Sequence, residues 1–594
     1  MTSKFLKHKW QKILATVLLV FLLLITVVAY FVNRHWSPIL ADRVRNAVLE
    51  SSDSLYQANF TDAELHIVQS KLVIHNLTLT PNQAVYKRFL KMGIAPNNLY
   101  TIKVKRLVFK NIHPLKLYYH QKLDIGQIIL SAPELQVSYT LNRKRDSTTN
   151  IPNAWHRIKG MLKSVHVKEV LLNDVKFTYK DYSGNKLDIS ELKEMNLTGK
   201  ELLIDSTTQN DSSRFYYFKD LQAELNNFSR PSDNGLYQYR IKQLQYSTLT
   251  SQLKAFGVGL IPAPDSVFIN RKVRSWFRFH TDTLKLNDFD FKTYNKYRLL
   301  HASHLLLKRG NLVIFANPAS QPPLRGNRLP TFPNEAIHQL KNDFTLDTVH
   351  LNRLNITYKG YGKQSHKQGM VSYNNTNGYI YNITNNTEAL HKNNILRMQL
   401  STYLMDSGLM QADLTFNLTD SARSYAYKGS IGAMDLGKLN KATMPFALVK
   451  ITSGDLDQLV FDIKANRNVS TGNVTMLYHD LKIHVLKMDT VDDLYRHRGM
   501  ASLFANALIV KRNNPDQPGG MPRSFNVTNV REPNTAFFKT VWETLSKGIN
   551  ASAGYNEAMQ KEVKRHIAQR KADKIASSAK KALRNRQRAL HKRR

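Results

Sequence analysis

Two pairs of aspartates, Asp288/Asp290 and Asp455/Asp457, stand two residues apart, and paired carboxylates are the usual equipment of general acid and base catalysis. In extended chain that spacing puts both members on one face. In alternating strands those positions are neighbours on the polar face, so both pairs read as solvated surface. The twenty histidines are dispersed without metal-ligand spacing, and His66, His75 and His166 fall at strand positions that face away from the apolar residues. No G-x-S-x-G elbow, Walker loop or His-Glu-x-x-His helix occurs. The stretch GVGLIP (257–262) carries two glycines of a dinucleotide fingerprint and lacks the third. The chain has no cysteine, which excludes disulfides, thiol catalysis and thiolate metal sites. No catalytic residue, metal or cofactor is assigned, and the chain does not read as an enzyme.

The pattern that does recur is apolar. Large apolar residues at i, i+2, i+5 and i+7 occur at Leu72/Ile74/Leu77/Leu79, Ile102/Val104/Leu107/Phe109, Leu123/Ile125/Ile128/Leu130, Val165/Val167/Val170/Leu172, Tyr239/Ile241/Leu244/Tyr246, Leu284/Leu286/Phe289/Phe291 and Phe344/Leu346/Val349/Leu351. At 100° per residue these positions scatter around a helix, so no helix uses them. On a strand each i, i+2 pair shares a face, and the three-residue step reverses that face unless a bulge or tight bend absorbs one residue. The spacing therefore predicts long bent strands with one apolar face. Alternation continues through Leu459/Phe461/Ile463/Ala465 and neighbouring segments, so β structure is expected to dominate from about 56 to 511.

These strands imply the following division: a basic cytoplasmic N-terminus (1–12), a transmembrane anchor (13–32), an amphipathic entry helix (37–55), an N-terminal β part (56–395), a C-terminal β region (396–532), an amphipathic helix (533–549) and a basic tail (553–594). The anchor is ILATVLLVFLLLITVVAYFV, twenty residues without a charge, the length that crosses a hydrocarbon core of roughly 30 Å. Lys4, Lys7, Lys9 and Lys12 precede it and only Arg34 closely follows, which predicts a cytoplasmic N-terminus with the bulk outside. The polar stretches 143–157 and 317–335, the latter with five prolines, are expected to be surface insertions. Asn59, Asn76, Asn355 and Asn473 open Asn-x-Ser/Thr sequons, which chance also produces in Asn-rich strands.

A one-sided apolar sheet must be covered by helices, a second sheet or something that is not protein. Few helices are available. About 25 strands at ~4.8 Å each would make a sheet on the order of 120 Å long, which is expected to curl. The result would be a long curled β-groove whose apolar lining holds acyl chains; β-sandwich domains that bury their own inner faces are the alternative. The lining residues on this reading are Leu72, Ile74, Ile102, Val104, Ile125, Ile128, Val165, Val167, Val170, Leu172, Ile241, Leu244, Leu286, Phe289, Leu346, Val349, Leu351, Phe461 and Ile463.

The anchor, the runs SKLVIHNLTLTPN (70–82) and VKRLVFKNIHPLKL (104–117), and the segments GSIGAMDLGKLN (429–440), ALVKITSGDLDQLVFDIKAN (447–466) and GNVTMLYHDLKI (472–483) resemble the AsmA-like proteins of diderm bacteria. That resemblance implies an inner-membrane-anchored, periplasmic β-groove concerned with phospholipid transport to, or homeostasis of, the outer membrane. It leaves the tail unexplained. Between Glu557 and Arg594 fourteen Lys or Arg face three acids, and Lys580, Lys581, Arg584, Arg586 and Arg588 are placed to meet anionic lipid or outer-membrane phosphates, at about 1 kcal/mol per cation near a surface. The net charge of +40 also suits nucleic acid, but the tail has no aromatic residue after Tyr555 for base stacking and the topology places it outside the cytoplasm. Phospholipid and the inner membrane are thus the expected partners, and a periplasmic scaffold for outer-membrane protein assembly is the alternative function.

Overall fold

The computed structural model describes residues 45–142, 155–316, 326–489, 494–497 and 510–554, a few isolated positions within those spans aside, together with 565 and 576–578. The expected anchor, nearly all of the first insertion, residues 317–325 of the second, and the five tail cations Lys580, Lys581, Arg584, Arg586 and Arg588 lie outside the described residues. Among the described residues no helix is long and apolar enough to cross a membrane.

The chain is mainly β, with one large mixed sheet of 23 strands. Strand follows strand as a hydrogen-bonded neighbour almost throughout. Three parallel pairings interrupt the antiparallel ladder: Lys122–Ser131 and Glu134–Tyr139 each with Ser164–Asp181, and Leu300–Ala316 with Phe344–Tyr361. Short strands share a rung in four places: Tyr56–Asn59 and Asp62–His66 both pair with Lys71–Pro81, Lys122–Ser131 and Glu134–Tyr139 with Ser164–Asp181, Tyr425–Ile431 and Met434–Asp435 with Val449–Ala465, and Leu494–His497 and Ser524–Val530 with Val469–Asp489. The sheet is therefore shorter than 25 separate rungs. Nineteen rungs at ~4.8 Å span roughly 86 Å, and neither end closes onto the other.

At several three-residue steps the backbone turns left-handed. Asn76, Glu201, Asn227, Gly257, Arg309, Arg353 and Asn382 all have φ between 50° and 60°, and each falls in a three-residue step between positions on the apolar face. Only glycine adopts this region freely, and asparagine tolerates it because its short side chain bonds locally. The neighbouring strand often supplies the missing acceptor: the Arg353 N–H donates to Asn377 Oδ1 at 3.0 Å and the Asn375 N–H to Asn355 Oδ1 at 2.8 Å. Each such residue keeps both flanking pairs on one face.

Strands take 58% of the residues and helices 17%, so helices cover only part of the sheet. Helix Phe537–Ser552 packs on Val469–Asp489 and Ser524–Val530, and helix Asn440–Ala447 packs on Gln368–Thr384 and Val449–Ala465. The first of these runs three residues past the expected end, with Gly548 inside it rather than at its cap. Its buried face is Phe537, Thr540, Thr544, Gly548 and Ser552, while Phe538 and Trp542 point into solvent. The described part of the second insertion is also not surface loop: Phe332 is fully buried, with its ring 5.3 Å from Phe537 and 5.7 Å from Tyr425. Its prolines start short helices, as at Pro333, where a missing N–H costs nothing.

Candidate functional site

The pattern i, i+2, i+5, i+7 reads the same in both directions, so two antiparallel copies in register place every apolar residue opposite another. Leu72, Ile74, Leu77 and Leu79 pair with Phe109, Leu107, Val104 and Ile102. A parallel pair does the same in direct order, Leu123, Ile125, Ile128 and Leu130 meeting Val165, Val167, Val170 and Leu172.

Carried from rung to rung, this registration produces one unbroken apolar row. It begins Ala63, Ile74, Leu107, Leu130, Leu172, Leu197. It continues Ala223, Tyr246, Leu253, Leu286, Leu305, Val349. It ends Ile380, Met398, Leu414, Tyr427, Ile463, Gly472, Val527. No charge interrupts it. One residue along each strand the row is polar instead: Asn196, Glu224, Gln245, Lys254 and Lys285 are register partners in turn. A one-residue displacement moves a side chain to the other face, so this sheet has one greasy and one wet side. The wet side carries a cleft of about 320 Å³ lined by Asn196, Gln222, Glu224, Gln245 and Lys254 among others.

Cover over the apolar face varies along the row. At the N-terminal end Phe60 closes over Ala63, Leu72, Ile74, Val104 and Leu107, all buried. At the C-terminal end Phe461 and Ile463, 4% and 0% exposed, sit in a closed core with Val474, Phe332 and Phe537 of the overlying helix. These two expected lining residues, like Leu72, Ile74 and Val104 under Phe60, are therefore structural core, because protein already covers them. Between the ends, from Leu130 to Leu305, every member of the row is partly exposed. The buried cluster of Val175, Met195 and Leu225 there consists of ladder neighbours, flanked by Leu172, Leu197 and Leu244. Three large rings on this face keep much of their surface in solvent: Tyr239 46%, Phe277 42% and Tyr358 40%.

Of the other expected lining residues, Ile102, Ile128, Val165, Val167, Val170, Leu172, Ile241, Leu244, Leu286, Leu346, Val349 and Leu351 lie on this face by register. Ile125 does too, and its partners are Ile112 and Val167. Phe289 does not belong to a strand. Strand Ser275–Asn287 ends before it, the apolar set in that strand being Phe279, Thr281, Leu284 and Leu286 by register. Phe289 instead joins Phe291, Tyr294 and Tyr246 in a ring cluster with centroids 5.2–6.2 Å apart at the end of the strands. Burial there pushes the Tyr246 hydroxyl up to about 12. Across the middle of the face, among the described residues, the short helices Asp265–Asn270 and Phe291–Tyr297 supply ring contacts at opposite strand ends, through Phe268 on Tyr237 and Phe291 on Tyr246.

The polar residues considered for chemistry sit elsewhere. Asp290 Oδ1 accepts from the Thr293 N–H at 2.9 Å at the start of a helix, and Asp288 accepts from Ser303 Oγ. Asp455 and Asp457 flank His479 at 3.8 and 3.2 Å, an exposed ion cluster. His66 and His75 bracket Glu64. His166 bridges Asp124 at 3.0 Å and Glu201 at 3.1 Å. Burial pulls its imidazole down, yet the hydrogen bonds with Glu201 and Asp124 outweigh that and hold its pKa above the usual histidine value.

The described residues thus form a large open sheet with a continuous apolar row on one face. No protein-family model matches this chain, and no curated protein matches it either.

Proposed function

We propose that this protein is a membrane-anchored, periplasmic β-groove that binds phospholipid acyl chains along its apolar face and supports lipid transport to, or homeostasis of, the outer membrane. The observation that carries the reading is the row from Leu130 to Leu305, apolar at every rung, partly exposed, and flanked by Tyr239, Phe277 and Tyr358 with 40–46% of their surface in solvent. Leaving such side chains in water forfeits about 25 cal/mol for each Å² that could be buried, so a soluble monomer keeps so long a stripe only where a partner covers it. A hydrocarbon chain suits a strip that is narrow, continuous and free of charged groups. Apolar side chains crowded sideways on one face, as around Val175, are what a concave surface produces, and curling to the apolar side gives that concavity. The closed cores at the two ends bound the open section, and the segment 13–32 holds the N-terminal end at the inner membrane.

Lipid mass spectrometry on the full-length protein, extracted gently from its membrane, tests this. Co-purifying phospholipid in stoichiometric amount supports it. Recovery of outer-membrane barrel proteins with no lipid would favour the scaffold reading instead.

A further inference from the structure

Helix Pro114–His120, which joins strands Asn98–Ile112 and Lys122–Ser131, buries none of its residues. Leu115 is 70% exposed, Tyr118 81% and Tyr119 72%. The two tyrosine rings pack edge to face with centroids 5.1 Å apart, which leaves their outer surfaces bare. The helix is nevertheless firmly set: the His113 N–H donates to Asp124 O at 3.0 Å, Lys116 pairs with Asp124, and the left-handed Gln121 closes the C-terminus by donating to Leu117 O at 3.0 Å. Leu115, Leu117, Tyr118 and Tyr119 thus project from a fixed base, beside Lys116, Lys122 and Lys163. Scattered apolar residues on a surface need no explanation, but a contiguous apolar tip ringed by cations marks an interaction site. Tyrosine and lysine together are the composition of the membrane interface, where the ring meets the headgroup zone and the ammonium meets phosphate.

The chain places that tip near a bilayer. Arg45 is tied to the N-terminal edge of the sheet, its guanidinium over the Phe60 ring at 4.7 Å, and it follows the end of the apolar segment, Val32, by thirteen residues. Those residues reach at most about 45 Å fully extended. The helix lies only two to three rungs from that edge, roughly 10–15 Å. We infer that Leu115, Tyr118 and Tyr119 form a foot that rests in the interface of the anionic phospholipid bilayer holding residues 13–32, so that the N-terminal end of the sheet is pressed onto the membrane at two points rather than tethered by one. This inference rests on reading 13–32 as the anchor.

The absence of cysteine permits a clean test with the full chain in phosphatidylethanolamine/phosphatidylglycerol vesicles. An environment-sensitive fluorophore is attached singly at Tyr118→Cys, at Thr16→Cys within the anchor, and at Asp233→Cys, where the side chain is 87% exposed on a distant loop. The expected result is blue-shifted emission at 118 and 16, quenched several-fold by nitroxides on the acyl chains, with water-like emission at 233. Lipid quenching at 16 but water-like emission at 118 overturns the foot and leaves the anchor standing. Water-like emission at both removes the anchor, and the foot with it. Blue-shifted emission at 118 without lipid quenching means that protein covers the patch and also overturns the inference.

Discussion

A Cβ on Gly548 would stand 2.4 Å from the Cβ of Val474. Helix Phe537–Ser552 therefore lies on strand Val469–Asp489 at a separation that only glycine allows, and the small residues Thr540, Thr544 and Ser552 continue that close approach along its buried face. This contact seals the C-terminal end of the apolar row.

Gly548→Leu should lift the helix and expose Phe537 and Phe461. Overpacking of this kind costs typically 1–3 kcal/mol, so thermal unfolding should shift down and protease sensitivity around residue 530 should rise. Phe538→Ala, 78% exposed on the opposite side of the helix, should change stability by no more than about 0.5 kcal/mol.

The left-handed steps predict a sign that composition alone does not. Arg353 has φ 57°. Arg353→Gly should leave stability unchanged or raise it by up to about 1 kcal/mol, whereas Arg353→Ile, β-branched in the same conformation, should lower it by about 1–2 kcal/mol. Urea midpoints of the two variants would separate; equal midpoints would contradict the bend.

Much of this architecture was legible because the spacing depends on side chains alone. Seven copies were visible, and those within strands share a face because each three-residue step holds a left-handed residue, as at Asn76, or faces one on a paired strand, as with Asn111, Glu201, Gly257 and Asn382. Further copies were hidden where a rung has a small or polar residue: Gly199 at the register position of Val170, Thr281 opposite Val258, and Gly310 opposite Thr281. At Gly199 the Phe218 ring occupies the space of a side chain, so local sequence reports a gap that a neighbouring strand fills. The placement of Phe289 failed for a related reason. An apolar pair just past a strand end continues the spacing by coincidence, and only register distinguishes the two. Which stretches of the apolar face are covered was not legible at all, since cover depends on Phe332 and Phe537, distant in sequence from Phe461.

The His166 cluster predicts a pH dependence. Its pKa is raised, so its contribution to stability is complete below the ordinary value of 6.5 and fades as pH rises through the folded-state value. For Asp124, burial acts upward but Lys116 and His166 outweigh it and lower the pKa, so its contribution is present above 3.8 and is lost as pH falls below that. Thermal unfolding from pH 5 to pH 8.5 should show wild type losing its advantage over His166→Gln as pH rises; parallel curves would remove the histidine from the account.

The two faces of one strand supply a matched pair. Leu286→Glu places a charge in the apolar row, and Lys285→Glu changes the neighbouring residue on the wet face. Leu286→Glu should abolish lipid co-purification with the circular dichroism spectrum retained, while Lys285→Glu should leave it near wild type. Equal loss in both would point to a general defect.

The most direct measurement places a photo-reactive phenylalanine analogue at Leu253 or Leu305, in the open middle of the row, and at Lys254 on the opposite face, in cells producing the full-length chain. Phospholipid adducts at 253 and 305, and none at 254, are the predicted result. Adducts at 253 and 305 only to other segments of the same chain would show the face closed by protein and would contradict the account.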